Sequence, residues 1–226
     1  MSRSFRRPSP SDGLSSSKPA GQNEKKAGIR AVFFDIGNVL LRFNSKDFVR
    51  HVSKATGRSP LTIAGYFWID HLPDKLERGL LTPAEFFKIF RTKLGYKESW
   101  SVFCKAWCDF TPELETEKIL ETVRSRHKVY LLSNTNALHY DFIRSNYAFP
   151  KRVHGALLSY RLGLRKPEPG IYLSALRRAR VEAHEAAFID DLKENVAGAR
   201  KLGINGVLYK NPSDLRAQLS GLGVAL

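Results

Sequence analysis

Five short apolar runs, "AVFFD" (31–35), "VYLLSN" (129–134), "GALLS" (155–159), "AAFIDD" (186–191) and "GVLY" (206–209), set the tightest limit on how this chain can fold. They show no polar alternation, which is the pattern of strands buried on both faces. Helical patterns separate the later runs: "TPELETEKILETVRSRH", "KPEPGIYLSALRRARV" and "ENVAGARKLG". Strands alternating with helices give a parallel sheet with crossover helices on its faces, an α/β core of three layers. Residues 45–110 depart from the alternation and carry helical signals only. "KDFVRHVSKATG" ends on a Gly stop, "SPLTIAGYF" opens on a Ser cap with Pro at the first helical position, and Thr82 and Glu85 of "TPAEFFKIFRTKLG" stand in capping-box spacing. The expected organisation is a basic tail at 1–28, a Rossmann-like core at 29–44 and 111–226, and a small helical domain at 45–110, inserted after the first strand.

With 226 residues, 42% of them hydrophobic, the chain can bury one large core, or a core with a small second domain. No apolar run approaches the roughly 20 residues of a membrane span. The stretch "MSRSFRRPSPSDGLSSSKPAGQNEKKAG" has no apolar segment of the secretory kind and reads as a disordered tail. Its Arg and Ser content leaves organelle targeting open, its Pro and Gly argue against an amphipathic helix, and a cytoplasmic location is the expectation. Of the formal charge of +15, the first 30 residues contribute +5. Such a field attracts anions. The sequence has no zinc-finger, homeodomain or RNA-recognition signature and its basic residues are dispersed, so a phosphate-bearing small molecule is expected rather than nucleic acid. Cys104 and Cys108 sit on a helical stripe with Trp100, Phe103 and Trp107 and read as core-facing free thiols of a reducing compartment.

Polar groups collect where the apolar runs end. Asp35 ends the first, Ser133 and Asn134 the second, Asp190 and Asp191 the fourth, and Lys166 opens a helix with Pro167. In an open parallel sheet the carboxyl ends of the strands converge on one crevice. A carboxylate there can attack an electrophile covalently. Attack on phosphorus brings anion to anion, so the site must supply positive charge. Mg²⁺, a hard ion that prefers oxygen ligands, suits Asp35, Asp190 and Asp191. Lys166 and Ser133 can hold the phosphoryl oxygens.

In order and spacing, "FFDIGNV", "LLSNTN", "LRKP" and "FIDD" resemble the four motifs of the haloacid dehalogenase superfamily, and the helical insertion resembles its small cap of the type that follows the first strand. "DIGNVL", "LSNTNALH", "LGLRKPEPGIY" and "FIDDLKENVAGARKLGI" are similar to the branch holding bacterial alpha-D-glucose-1-phosphate phosphatases. The resemblance implies that Asp35 is the nucleophile and a metal ligand. It implies that Asp191 binds Mg²⁺ with Asp190 beside it, that Ser133 and Asn134 hold the phosphoryl group, and that Lys166 steadies both that group and Asp35. Asn195 falls where many relatives carry an acid, and a supporting hydrogen bond is expected of it.

One position departs from the superfamily pattern. Two residues after the nucleophile most such phosphatases have a second Asp that moves the leaving-group proton; here it is Gly37, whose carbonyl can ligate Mg²⁺ but cannot exchange protons. Loss of a general acid costs about 10²- to 10⁴-fold unless the leaving group needs little help. An anomeric sugar phosphate would tolerate the loss, and the cap offers Asp70, His71, Asp74 and Glu77 as substitutes. His139 reads as a packed histidine, and Trp68 and Trp107 as cap packing or a wall facing the substrate. Three function classes remain: a Mg²⁺-dependent phosphatase acting on a small sugar phosphate through an aspartyl-phosphate, a 2-haloacid dehalogenase using the same carboxylate, and a catalytically weak binding protein. Whether the chain is a monomer or a homodimer stays open.

Overall fold

The computed structural model describes residues 28–69 and 71–226; the expected tail up to residue 27, Asp70 and the Trp68 side chain lie outside the described residues. Five parallel strands form one sheet in the order β5-β4-β1-β6-β7. They are β1 (Ala31–Phe34), β4 (Lys128–Ser133), β5 (Gly155–Leu158), β6 (Ala186–Asp190) and β7 (Asn205–Leu208). β1 is central, with Ala31 opposite both Lys128 and Ala186, and Phe34 opposite both Leu131 and Ile189. Its four residues are all buried.

Side-chain alternation along the strands sorts the core into two layers. Val32, Phe34, Val129, Leu131 and Ile189 face one side. There they pack on α6 (Leu114–Arg124), α7 (Ala137–Asn146), α8 (Phe149–Arg152) and α12 (Pro212–Gly221). Ala31, Phe33, Tyr130, Leu132 and Phe188 face the other, under α10 (Pro169–Ala179) and α11 (Lys193–Lys201). The short α9 (Ser159–Leu162) follows β5 directly. Among the described residues no helix is long and apolar enough to cross a membrane.

Between β1 and β4 lie five helices: α1 (Ser45–Thr56), α2 (Pro60–Ile69), α3 (Leu72–Glu77), α4 (Pro83–Leu94) and α5 (Trp100–Trp107). They share a cluster built largely of aromatic rings, in which Phe48 lies 4.5 Å from Trp107 and Phe86 4.9 Å from Phe90, centroid to centroid. The cap geometry follows from sequence. Thr82 Oγ1 accepts from Glu85 N at 3.2 Å while Glu85 Oε2 accepts from Thr82 N at 2.8 Å, and α1 stops at Gly57, whose φ of 69° is left-handed. Cys104 and Cys108 are free, and burial pushes the Cys108 thiol up to about 12, so it stays protonated and unreactive.

A two-stranded antiparallel ribbon joins the two parts, with β2 (Leu41–Phe43) pairing Leu41 with Pro112 and Phe43 with Phe110 of β3 (Phe110–Pro112). Sequence pattern placed Phe110 with the preceding helices and Thr111 and Pro112 in the following helix. Three-residue strands are too short for alternation to show.

Candidate active site

Asp35, the first residue after β1, keeps the sheet's register by donating its N–H to Ile189 O at 2.9 Å, so its side chain leaves the sheet at its carboxyl edge. Asp35 Oδ1 accepts from the Ile36 N–H at 2.7 Å and lies 2.8 Å from Lys166 Nζ. The Lys166 ammonium also donates to Asp190 Oδ2 at 2.6 Å and to Leu132 O at 2.9 Å. Those three partners match the three N–H bonds a lysine carries. Lys166 is 3% exposed, Asp35 7% and Asp190 0%.

Asp190 is held from every side. Leu192 N reaches its Oδ1 at 2.9 Å, and the Asn195 amide reaches both oxygens, at 2.9 and 3.1 Å. Asn195 therefore makes the supporting hydrogen bond expected of it, and its own carbonyl accepts from Tyr172 Oη at 2.8 Å. Asp191 is more open, with Oδ2 accepting from Asn38 Nδ2 at 3.2 Å. Asn38 takes a left-handed φ of 53°, a conformation Asn tolerates better than most residues. Sequence reading assigned Asn38 no role; an Asn directly after a Gly beyond a strand was the available signal.

The carboxylates perturb one another. Burial pushes the Asp35 carboxyl up to about 7, and the Asp190 charge adds to this while Lys166 opposes it. Burial and Asp190 also raise Asp191. Lys166 is raised despite its burial, by the charges of Asp35 and Asp190. Negative charge in excess of the single ammonium is what a divalent cation relieves. Asp35, Asp190 and Asp191 each bring a carboxylate oxygen within 4.8 Å of the others, a hard-oxygen donor set that fits Mg²⁺. Asp190 has both oxygens committed to Lys166, Leu192 and Asn195, which leaves Asp35, Asp191 and the Gly37 carbonyl better placed to ligate.

Ser133 ends β4 beside this cluster and is 2% exposed. Asn134 has another task than the expected one. Its Nδ2 donates to Lys166 O at 2.9 Å and its Oδ1 accepts from Lys166 N at 2.8 Å, so its side chain clamps the lysine's backbone and has little left for a phosphoryl group. Ser159, which sequence reading passed over, locks the same loop, accepting from Thr135 N and donating to Thr135 O, both at 2.9 Å.

Opposite the cluster, α3 brings Asp74, Glu77 and Arg78 against the segment before Lys166. Arg165 lies 2.6 Å from Asp74 Oδ1 and 2.7 Å from Glu77 Oε2, and Arg78 pairs with Asp74 at 3.0 Å and with Glu168. Hydrogen bonds from Arg165 and Arg78 overcome desolvation and hold Asp74 below the usual carboxylate range, whereas burial raises Glu77. A cavity of about 1110 Å³ opens between this network, α1, α2 and α7. Phe43, Phe67, Trp107 and His139 contribute to its wall. His139 stacks on Trp107 at 4.9 Å with Nε2 3.0 Å from Trp107 O, and burial lowers it to about 4, so it is a neutral packed ring.

The family model for haloacid dehalogenase-like hydrolases matches residues 104–203. A crystal structure of a haloacid dehalogenase family enzyme from Bacteroides thetaiotaomicron, in complex with magnesium and inorganic phosphate, superposes with a TM-score of 0.74 at 29% identity, over 81% of this chain and 96% of that one. The chain belongs to the haloacid dehalogenase-like hydrolases. A D-ribitol-5-phosphate phosphatase of the same bacterium is 26% identical over 200 residues, 85% of this chain and 97% of the relative. A sesquiterpene phosphatase of Aspergillus oryzae is 24% identical over 181 residues, 79% of this chain and 88% of the relative. Membership of this hydrolase family is consistent with a carboxylate cluster at the carboxyl edge of the sheet.

Proposed function

We propose that this hydrolase is a Mg²⁺-dependent phosphomonoesterase that acts through an aspartyl-phosphate on Asp35. The observation that carries the reading is the buried Asp35–Lys166–Asp190 triad with Asp191 beside it: one carboxylate aimed out of the sheet, a cation fixed against it, and further acids to hold a metal. Asp35 Oδ1 is engaged by Ile36 and Lys166, so Oδ2 is the oxygen that attacks phosphorus. Ser133 and Lys166 receive the phosphoryl oxygens, and Asn134 and Asn195 keep Lys166 and Asp190 in place. Mg²⁺ held by Asp35, Asp191 and the Gly37 carbonyl would offset the charge of the incoming phosphate. Water then releases phosphate from Asp35. The helical segment 45–110 serves as the cap that closes over the substrate.

The phosphatase names of both relatives and the phosphate bound in the Bacteroides structure support the phosphoryl chemistry. The ribitol phosphatase supports the expected sugar-like ester, whereas the sesquiterpene phosphatase points to an apolar one. The test is phosphate release from a chromogenic ester with and without EDTA, in wild type and Asp35→Asn. Activity is expected to need both the metal and Asp35, and an Asp35→Asn variant as fast as wild type sinks the assignment. A separate binding readout is a Mg²⁺-induced rise in melting temperature that Asp191→Asn abolishes. Halide release from 2-haloacids without metal would instead identify a dehalogenase.

A further inference from the structure

We propose that the cavity beside Lys166 accepts phosphate monoesters of aromatic alcohols, so that the leaving group is a phenolate-type oxygen on an apolar ring rather than a polyol hydroxyl. This rests on the phosphomonoesterase reading and names its substrate class. Two independent observations meet in it, one about the space and one about the proton.

The space is large and apolar. At about 1110 Å³ the cavity is at the upper end of small-molecule sites, and Phe43, Val49, Leu61, Ala64, Phe67 and Trp107 line much of it. It adjoins the reaction centre, because Arg165 and Asn136 are lining residues that flank Lys166 and follow Ser133 in sequence. Glu77, also in the lining, senses the Lys166 charge. Most polar groups of the wall are already committed to one another. Asp74 and Glu77 face Arg165, Arg50 pairs with Asp47 at 2.7 Å, Asn136 Oδ1 accepts from His139 N at 3.0 Å, and His139 Nε2 lies against Trp107 O. A polyol entering here would bury hydroxyls with few partners, whereas a flat ring would stack on aromatic walls.

The proton is the second observation. Gly37 stands where an acid would protonate the leaving oxygen, and neither space nor backbone demands glycine there. A Cβ at Gly37 would meet nothing within 4 Å, and its φ lies outside the left-handed range. An acidic side chain would fit, so its absence bears on chemistry. Asp35 Oδ2 forms the P–O bond as the bond from phosphorus to the leaving oxygen breaks, and the electron pair departs on that oxygen. A phenolate, whose conjugate acid has a pKa of about 10 as in tyrosine, leaves without a proton and takes one from solvent afterwards. Water hydrolyses the aspartyl-phosphate, so ester and water become phenol and phosphate. An alkyl alkoxide needs the missing acid.

Three esters separate the two arguments: 2-naphthyl phosphate, 2-naphthylmethyl phosphate and D-ribitol 5-phosphate, with kcat/KM measured from released phosphate in Mg²⁺. The naphthyl ester should exceed the naphthylmethyl ester by about 10²-fold or more, the scale of a general acid. The naphthylmethyl ester, which has the same body on an alkyl oxygen, should exceed ribitol 5-phosphate by about tenfold or more, the scale of one unpaired hydroxyl. Gly37→Asp, with its folding checked by thermal melting, should shrink the first ratio and leave the second. Equal rates on the two naphthyl esters in wild type, or ribitol 5-phosphate matching the naphthylmethyl ester, overturns the inference alone. Absence of Asp35-dependent phosphate release from all three overturns the phosphomonoesterase reading and the inference with it.

Discussion

Replacing Lys166 with Met tests whether the buried ammonium does what its position implies. The substitution keeps most of the side chain's volume and removes one charge from between Asp35 Oδ1 at 2.8 Å and Asp190 Oδ2 at 2.6 Å. At an effective dielectric of 20, each contact is worth about 6 kcal/mol of Coulomb attraction. Desolvation of the lysine opposes much of that, and removing one partner from a buried ion pair costs about 3–5 kcal/mol in practice. The loss should depend on pH. In the variant Asp35 and Asp190 face each other without a cation, which raises their folded-state values further above the unfolded ones. A carboxyl raised on folding stabilises the fold while it stays protonated, and that contribution is lost as pH rises through the folded value. The variant should therefore lie closest to wild type near pH 5 and furthest below it near pH 8. Urea unfolding at both pH values, in EDTA, measures the two gaps. A gap of the same size at pH 5 and pH 8 would refute the electrostatic account and leave only packing. Turnover should fall by about 10²-fold or more, as when a charge-stabilising donor is removed.

Gly198→Ala would bring a Cβ to 2.9 Å from Pro167 Cβ and 3.0 Å from Pro167 O. The overpacking cost of about 1–3 kcal/mol exceeds the roughly 1 kcal/mol gained in helix propensity, so thermal melting should show a net loss, with turnover reduced because Pro167 follows Lys166. Gly221→Ala, where a Cβ meets nothing within 4 Å, is the matched control and should not destabilise. His139 is buried neutral with its value lowered to about 4, so the unfolded chain takes up a proton first. Stability should fall as pH drops from about 6.5 toward 4, by roughly 3 kcal/mol from this group, and His139→Gln should flatten that part of the urea-midpoint profile. Thr82→Ala removes the capping box of α4 and should cost about 1 kcal/mol in urea unfolding, with kcat/KM unchanged.

The parallel sheet was legible in the sequence because strands buried on both faces leave continuous apolar runs, and β1, β4, β5, β6 and β7 fall within a residue or so of those runs. The same burial concentrates polar residues at strand ends, which is why Asp35, Ser133 and Asp190 stood out. Partnerships across long sequence separation were not legible. Nothing in "LLSNTN" shows that the Asn134 amide grips the backbone of Lys166 rather than facing outward, since both uses need the same residue type. Asp74 and Glu77 read as candidate proton donors because their pairing with Arg165 depends on how α3 docks. The β2–β3 ribbon escaped notice for want of length, and Asn38 because its role comes from a backbone angle.

That ribbon makes the chain modular in a way that composition does not suggest. Because Phe43 sits directly opposite Phe110, the chain leaves the sheet domain and returns to it at one point, as if the five helices were the loop of a hairpin. An insertion anchored at a single paired joint can be exchanged, lengthened or trimmed without shifting the register of β1 against its neighbours. Substrate preference carried by α1, α2, α3 and α5 can therefore drift while the chemistry at the strand ends stays constant. A chimera cut at the Phe43–Phe110 pair is the natural way to transplant one without the other.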